Sequence, residues 1–152
     1  MQTYDLQAVV KVAAPLKAIE ATLCDSATWA AGAGDAIPPM REDEAARVAK
    51  LVDVGAAGRL RDSLVCVRAM VGEQLGISAD DVRLTRSEEG APQIQNAPGR
   101  SISISRSGRW TLVALANGRA IGADVEVMRL LDWRAMLGMV CSEAEAAAFI
   151  AL

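Results

Sequence analysis

Two periods of apolar residues alternate along the chain, and the changes between them predict its elements. Residues 8–12, Ala-Val-Val-Lys-Val, have β character and predict a first strand within 4–12. Residues 15–23 predict a short helix, with Pro15 near its start. The stretch 24–40 is rich in Ala, Gly and Pro, including Gly32-Ala33-Gly34 and Pro38-Pro39, and reads as a loop. Arg41-Glu42-Asp43-Glu44 then opens a helix whose early acids suit the helix dipole, and this helix runs to about residue 51 or 52. Gly55 and Gly58 interrupt the helical pattern. A second, longer helix carries Leu60, Leu64, Val67, Val71 and Leu75 at helical spacing, with Gly76 as its C-terminal cap. That stripe is the predicted core face.

Beyond Gly76 the period shortens. Residues 78–81 form a turn, 82–85 a short strand and 88–92 a second turn, after which 93–95 pair back. Residues 101–126 dominate the second half of the pattern. Apolar runs flank Asn117-Gly118, the strongest short-range hairpin signal, because a type I′ turn needs positive φ at both central residues. After that turn Ile121, Ala123, Val125 and Val127 fall on one face, and Gly122, Asp124 and Glu126 on the other. Residues 130–140 read as a helix, and Ser142 with Glu145 forms a capping-box pattern for a final helix over 143–152. Strands with period 2 beside one long stripe of period 3.6 predict an α+β fold, a small, mainly antiparallel sheet packed on the long helix.

Composition narrows the function. A chain of 152 residues suits one core, and 52% hydrophobic against 23% charged residues describes a globular protein. Aromatic residues make up only 3%, too few for base-stacking surfaces, and the net charge of −3 provides no general field for nucleic acid. Cys24, Cys66 and Cys141 are an odd number without zinc spacing. With neither a signal-peptide pattern nor an apolar run of membrane-spanning length, a cytoplasmic location is expected, with no membrane association. Histidine is absent from these residues, so chemistry that needs it is excluded and carboxylates, arginines and backbone groups remain. Asp124 and Glu126, side by side beyond a bare Gly122, suit a hard cation such as Mg²⁺, which takes one or two carboxylates and keeps waters or phosphate oxygens. An ordinary solvated strand face has the same pattern.

Taken together, Arg68, Leu75-Gly76, Gly90-Ala91-Pro92, Ser105-Arg106-Ser107-Gly108 and Gly122-Ala123-Asp124-Val125-Glu126 resemble the 4′-phosphopantetheinyl transferases of the larger, pseudo-two-fold class. The resemblance covers about residues 59–145, with the motifs in the family's order. It implies the first half of such a fold over 1–119 and the start of a second half over 120–152. The implied reaction moves 4′-phosphopantetheine from coenzyme A to a serine of an acyl- or peptidyl-carrier protein, releasing 3′,5′-ADP. By the same resemblance Asp124 and Glu126 are the catalytic Mg²⁺ ligands, Ser105 and Arg106 lie along the phosphates, and Arg59 meets the adenylate 3′-phosphate.

Three positions depart from the family pattern. Arg106 stands where the family has histidine, and Ala91 where it has lysine. The later W-x-x-K-E-A helix, with a third carboxylate and a lysine, has no counterpart in the 152 residues. The resemblance therefore implies either an enzyme completed by a homodimer mate or partner chain that covers 127–152, or a truncated or degenerate, non-catalytic module that binds coenzyme A or a carrier protein.

Overall fold

The structure, a computed structural model, describes residues 9–12, 19–34, 37–128 and 133–151. Its order is β1 (Val9–Val12), β2 (Ile19–Asp25), α1 (Ser26–Ala33), α2 (Glu42–Val48), α3 (Val54–Leu75), β3 (Leu84–Arg86), β4 (Pro92–Ile94), β5 (Arg100–Ser107), β6 (Trp110–Asn117), α4 (Trp133–Val140) and α5 (Glu143–Ile150). The six strands form one antiparallel sheet in the order β1-β2-β6-β5-β4-β3. The long helix α3 packs on β2 and β6. This is the expected α+β fold.

The core lies between α3 and that sheet face. Leu64, Val67 and Val71 of the stripe are buried, while Leu60 and Leu75 at its ends are half-buried. Cys24, Trp29, Val65, Cys66, Met70, Val82, Ile94, Ile102, Val113 and Leu115 join them. Gly76 ends the helix at φ 69, as its cap position requires. Gly72 serves a different purpose: a Cβ there would lie 2.9 Å from the Ile77 carbonyl oxygen and 3.1 Å from the Ala79 nitrogen. The chain leaving α3 thus folds back over a helix surface that only glycine keeps low enough.

Arg68, on α3, is buried at 1% exposure and holds the helix to its surroundings. Its Nε donates to Glu44 of α2 at 2.9 Å, one terminal nitrogen donates to the Pro39 carbonyl, and the other reaches the Ala79 carbonyl at 3.4 Å and Asp80 at 3.5 Å. Every part of the guanidinium is occupied, so Arg68 works as an internal strut. Removing one partner of a buried pair of this kind costs about 3–5 kcal/mol, since the other charge is left uncompensated.

Four expectations need correction. Residues 19–23 belong to a strand: β2 pairs with β6 from Ile19↔Ala116 to Asp25↔Trp110, and a short apolar run is ambiguous until such a partner exists; residues 15–18 of the expected helix lie outside the described residues. The stretch 24–40 contains α1, started by Asp25, whose carboxylate accepts the Thr28 N–H at 3.2 Å. Gly55 and Gly58 do not interrupt α3, which starts at Val54 behind an Asp53 cap. The fourth correction concerns the hairpin. β5 and β6 turn at Gly108-Arg109, with Ser107 opposite Trp110 and Gly108 at φ 59, a two-residue loop with glycine first. Both neighbours of β6 are thereby taken, by β5 and β2, and no place beside it remains for a strand after Asn117-Gly118. Instead Gly118 donates to the Gly99 carbonyl at 2.9 Å, and residues 120–128 leave the sheet.

The remaining elements fall close to expectation, although α2 ends at Val48 rather than at residue 51 or 52, and residues 4–8 of the expected first strand lie outside the described residues. β3 starts two residues later than the spacing suggested and pairs with β4, and α4 and α5 lie where the pattern placed them. Ser142 accepts the Glu145 N–H, and the Glu145 carboxylate accepts that of Ser142 at 2.9 Å, so the capping box is present. Helices α4 and α5 pack chiefly on each other and leave Met139, Val140, Phe149 and Ile150 exposed.

Candidate functional site

The residues with chemistry gather around the end of β5, on both faces of the sheet. Period-2 alternation sends Ile104 and Arg106 towards α3, and Ser103, Ser105 and Ser107 to the opposite face. The contacts follow that division. Arg106 Nε donates to Ser63 of α3, whereas Ser105 and Ser107 meet Asp124 and Glu126.

On the helix side lies a pocket of about 340 Å³. It opens where β4 parts from β5, since the two strands are in register only at Gln93↔Ser101. Ile104 and Arg106 form one wall, Leu84, Thr85, Arg86 and Pro92 another, and Arg41, Arg47, Leu64 and Val67 of the α2–α3 layer close it. Five arginines and two carboxylates line it, and one of those carboxylates, Glu44, is committed to Arg68. Among the described residues Arg47, Arg86 and Arg106 form no ion pair.

The electrostatic consequence is direct. Burial, then the charges of Arg47 and Arg86, push the Arg106 guanidinium down to about 10. It remains protonated at neutral pH, but at a cost. Arg41 is lowered as well, by burial and then by Arg83 and Arg68. Two partly desolvated cations, Arg41 and Arg106, facing one cavity with the exposed Arg47 and Arg86 are relieved by an anion with several acceptor oxygens, and a planar guanidinium fork fits phosphate well.

On the other face residues 121–127 run extended beside β5. Ile121, Ala123, Val125 and Val127 are half-buried while Gly122, Asp124 and Glu126 are exposed. The alternation read from the sequence is therefore right in phase, although its partner is not β6. The Ser105 hydroxyl donates to Asp124 Oδ1 at 2.5 Å and that of Ser107 to Glu126 Oε1 at 2.9 Å. Two hard carboxylates on one side, oriented by neutral hydroxyls, are a donor set that fits Mg²⁺ with its remaining positions left to water or phosphate oxygens. No group of three or more metal-ligating side chains occurs among the described residues.

The sequence expectations divide accordingly. Ser105, Asp124 and Glu126 come together, and Arg106 lies on the opposite sheet face at the same strand end. Arg59 is exposed on the first turns of α3, 3.8 Å from Asp53, and does not line the pocket. Arg41, Arg47 and Arg86 were not foreseen. Arg86 has the clearest retrospective signal: its guanidinium donates to the carbonyl of Gly90, in the same turn as Ala91. A cation therefore stands at the Gly90-Ala91-Pro92 turn, supplied from four residues before Gly90.

No family model matches the chain. Two curated proteins of Bacillus subtilis do. The 4′-phosphopantetheinyl transferase ffp is 35% identical over 65 residues, which is 43% of this chain and 29% of that protein. The 4′-phosphopantetheinyl transferase Sfp, of strain 168, is 36% identical over 62 residues, 41% of this chain and 27% of that protein. The similarity is to phosphopantetheinyl transferases. The matched stretch spans under a third of the length of either relative. Among the described residues no helix is long and apolar enough to cross a membrane.

Proposed function

We propose that this chain is a phosphopantetheinyl transferase-like protein that takes coenzyme A and transfers 4′-phosphopantetheine to a serine of an acyl- or peptidyl-carrier protein. One observation carries the reading: a pocket lined by Arg47, Arg86 and Arg106, which form no ion pair among the described residues, and a pair of hydroxyl-bonded carboxylates occupy the two faces of one strand end. Coenzyme A has phosphates at two places, a 3′-phosphate on the ribose and a pyrophosphate. The pocket of Arg41, Arg47, Arg86 and Arg106 is assigned to phosphate, with Arg59 as an outer contact to the adenylate. Asp124 and Glu126 are assigned to Mg²⁺, which when bound would neutralise charge on the pyrophosphate as the carrier hydroxyl attacks its β-phosphorus. The balance is simple: a serine O–P bond forms, the bond to the leaving phosphate of 3′,5′-ADP breaks, and the hydroxyl proton goes to a base.

A second reading is a module that holds coenzyme A or a carrier protein without transfer. It is favoured by the donor set itself, which offers two carboxylates and no third among the described residues. The experiment that separates the two is incubation with coenzyme A, Mg²⁺ and an apo carrier protein, followed by mass spectrometry of the carrier. A gain of one phosphopantetheine supports transfer. Binding of coenzyme A by calorimetry without that gain supports the module, and no binding of coenzyme A overturns both.

A further inference from the structure

Residues 121–127 are fixed to the sheet by side chains of β5. Ser103 Oγ accepts the N–H of Ala123 at 3.0 Å, Ser105 Oγ that of Val125 at 3.1 Å, and Ser107 Oγ that of Val127 at 3.0 Å. Serines two apart on a strand thus provide the acceptors that a neighbouring strand's carbonyls would otherwise supply. A hydroxyl also has one proton to give. Ser105 gives it to Asp124 and Ser107 to Glu126, in each case the residue before the one whose N–H it accepts. Ser103 stands in the same relation to Gly122, which has no side chain to hold.

From this we infer that Ser105 and Ser107 are positioning residues that set the Asp124 and Glu126 carboxylates for a divalent cation. The inference rests on the metal reading of Asp124 and Glu126 proposed above. Two-point attachment fixes the backbone of one residue and the side-chain direction of its neighbour together. The exposed Asp124 carboxylate, on a segment outside any ladder, would otherwise have to be ordered as the cation bound, which would weaken binding. The donor's neutrality matters too. An arginine or lysine at the same place would orient the carboxylate but cancel the charge that attracts the cation, whereas a hydroxyl leaves it intact and leaves most acceptor sites of the carboxylate open. Among the described residues no cationic side chain pairs with Asp124.

The test uses the full chain, with coenzyme A present and Mn²⁺ as the paramagnetic probe, and reads free Mn²⁺ by electron spin resonance and amide exchange by NMR. Ser105→Ala and Ser107→Ala are expected to weaken Mn²⁺ binding by about 10-fold or more, the usual effect of removing an outer-shell partner. Ser105→Thr, which keeps the hydroxyl, is expected to restore it. Ser103→Ala is the decisive comparison. It should speed exchange of the Ala123 amide as Ser105→Ala does for Val125, yet leave Mn²⁺ affinity within about threefold, since no carboxylate is released. Should Ser105→Ala unfold the chain, Ser107→Ala performs the same test at Glu126. Equal loss of affinity in Ser103→Ala, or none in Ser105→Ala and Ser107→Ala, overturns the inference and leaves the metal reading standing. Failure of the unaltered chain to bind Mn²⁺ overturns the metal reading and the inference with it.

Discussion

Arg106 shows how much a single residue depends on its surroundings. In sequence it stands where the phosphopantetheinyl transferase pattern that the chain resembles has histidine, and it brings a permanent charge and a fork of donors. In the fold it is half-buried, bonded to Ser63 and crowded by Arg47 and Arg86, which makes the charged form costly. Arg106→Met is therefore expected to leave the free protein as stable as before, or more stable by on the order of 1 kcal/mol, because a desolvated like charge is removed. If the chain takes coenzyme A as proposed, the unaltered chain should melt higher in its presence and the same variant should lose that rise. Thermal unfolding with and without coenzyme A checks both halves. Asp25 gives a pH signature of the opposite kind. Burial raises its pKa, but the hydrogen bond from Arg109, the two bonds from Thr28 and the Arg109 charge together outweigh burial, and the net shift is downward from 3.8. A lowered folded pKa means stability fully present above the ordinary aspartate range and lost as pH falls through the folded value. Asp25→Asn should accordingly destabilise at neutral pH, with the difference from the unaltered chain shrinking below about pH 4. Urea unfolding at several pH values measures it.

At the scale of elements, the long helix is where local and tertiary demands disagree most clearly. Gly72 sits inside α3, where alanine would be favoured by about 1 kcal/mol on propensity alone. The Ile77 carbonyl and Ala79 nitrogen occupy the space that a Cβ needs. Gly72→Ala is expected to destabilise by about 1–3 kcal/mol despite the gain in propensity, because the returning loop must move. Chemical denaturation gives the value, and Gly58→Ala, at a helical glycine with nothing within 4 Å of the added carbon, is the control expected to be neutral or stabilising. The β5–β6 hairpin carries the complementary lesson. Asn117-Gly118 is the better isolated turn signal, yet Gly108-Arg109 makes the hairpin, since β2 comes from 85 or more residues upstream to pair with β6. Residue pairs far apart in sequence decided which of two adequate turns lies inside the sheet.

For the whole molecule, the distribution of packing sets the expected hierarchy of opening. Strands β2, β5 and β6 and helix α3 share one core, whereas α4 and α5 contact chiefly each other and expose Met139, Val140, Phe149 and Ile150. Native-state hydrogen exchange is expected to show protection throughout α3 and the central strands, and exchange on the order of 10²-fold faster within 133–151. The same apolar side chains lead us to expect self-association or a partner on this region. Sedimentation across a range of concentrations should show mass rising with concentration, and Phe149→Glu should reduce it. A constant monomer mass would count against that expectation.

What the sequence determined by itself is local. The stripe from Leu60 to Leu75, the Gly76 stop, the Ser142–Glu145 box and the alternation over 121–127 are each set by periodicity and capping within one or two turns, and the fold keeps them. Asp124 and Glu126 shared a side because a period of two puts them there whatever lies alongside. The tertiary structure decided what depends on distant partners. Residues 19–23 became a strand because β6 offered an edge, and residues 120–127 left the sheet because β6 had none remaining. Arg41, Arg47 and Arg86 gained a shared meaning only when α2, β3 and β5 brought them round one cavity. Arg68 and Arg106 are the same residue type in the same sequence. One is neutralised by Glu44 and the other faces like charges, a difference set by burial and neighbours that no local pattern contains.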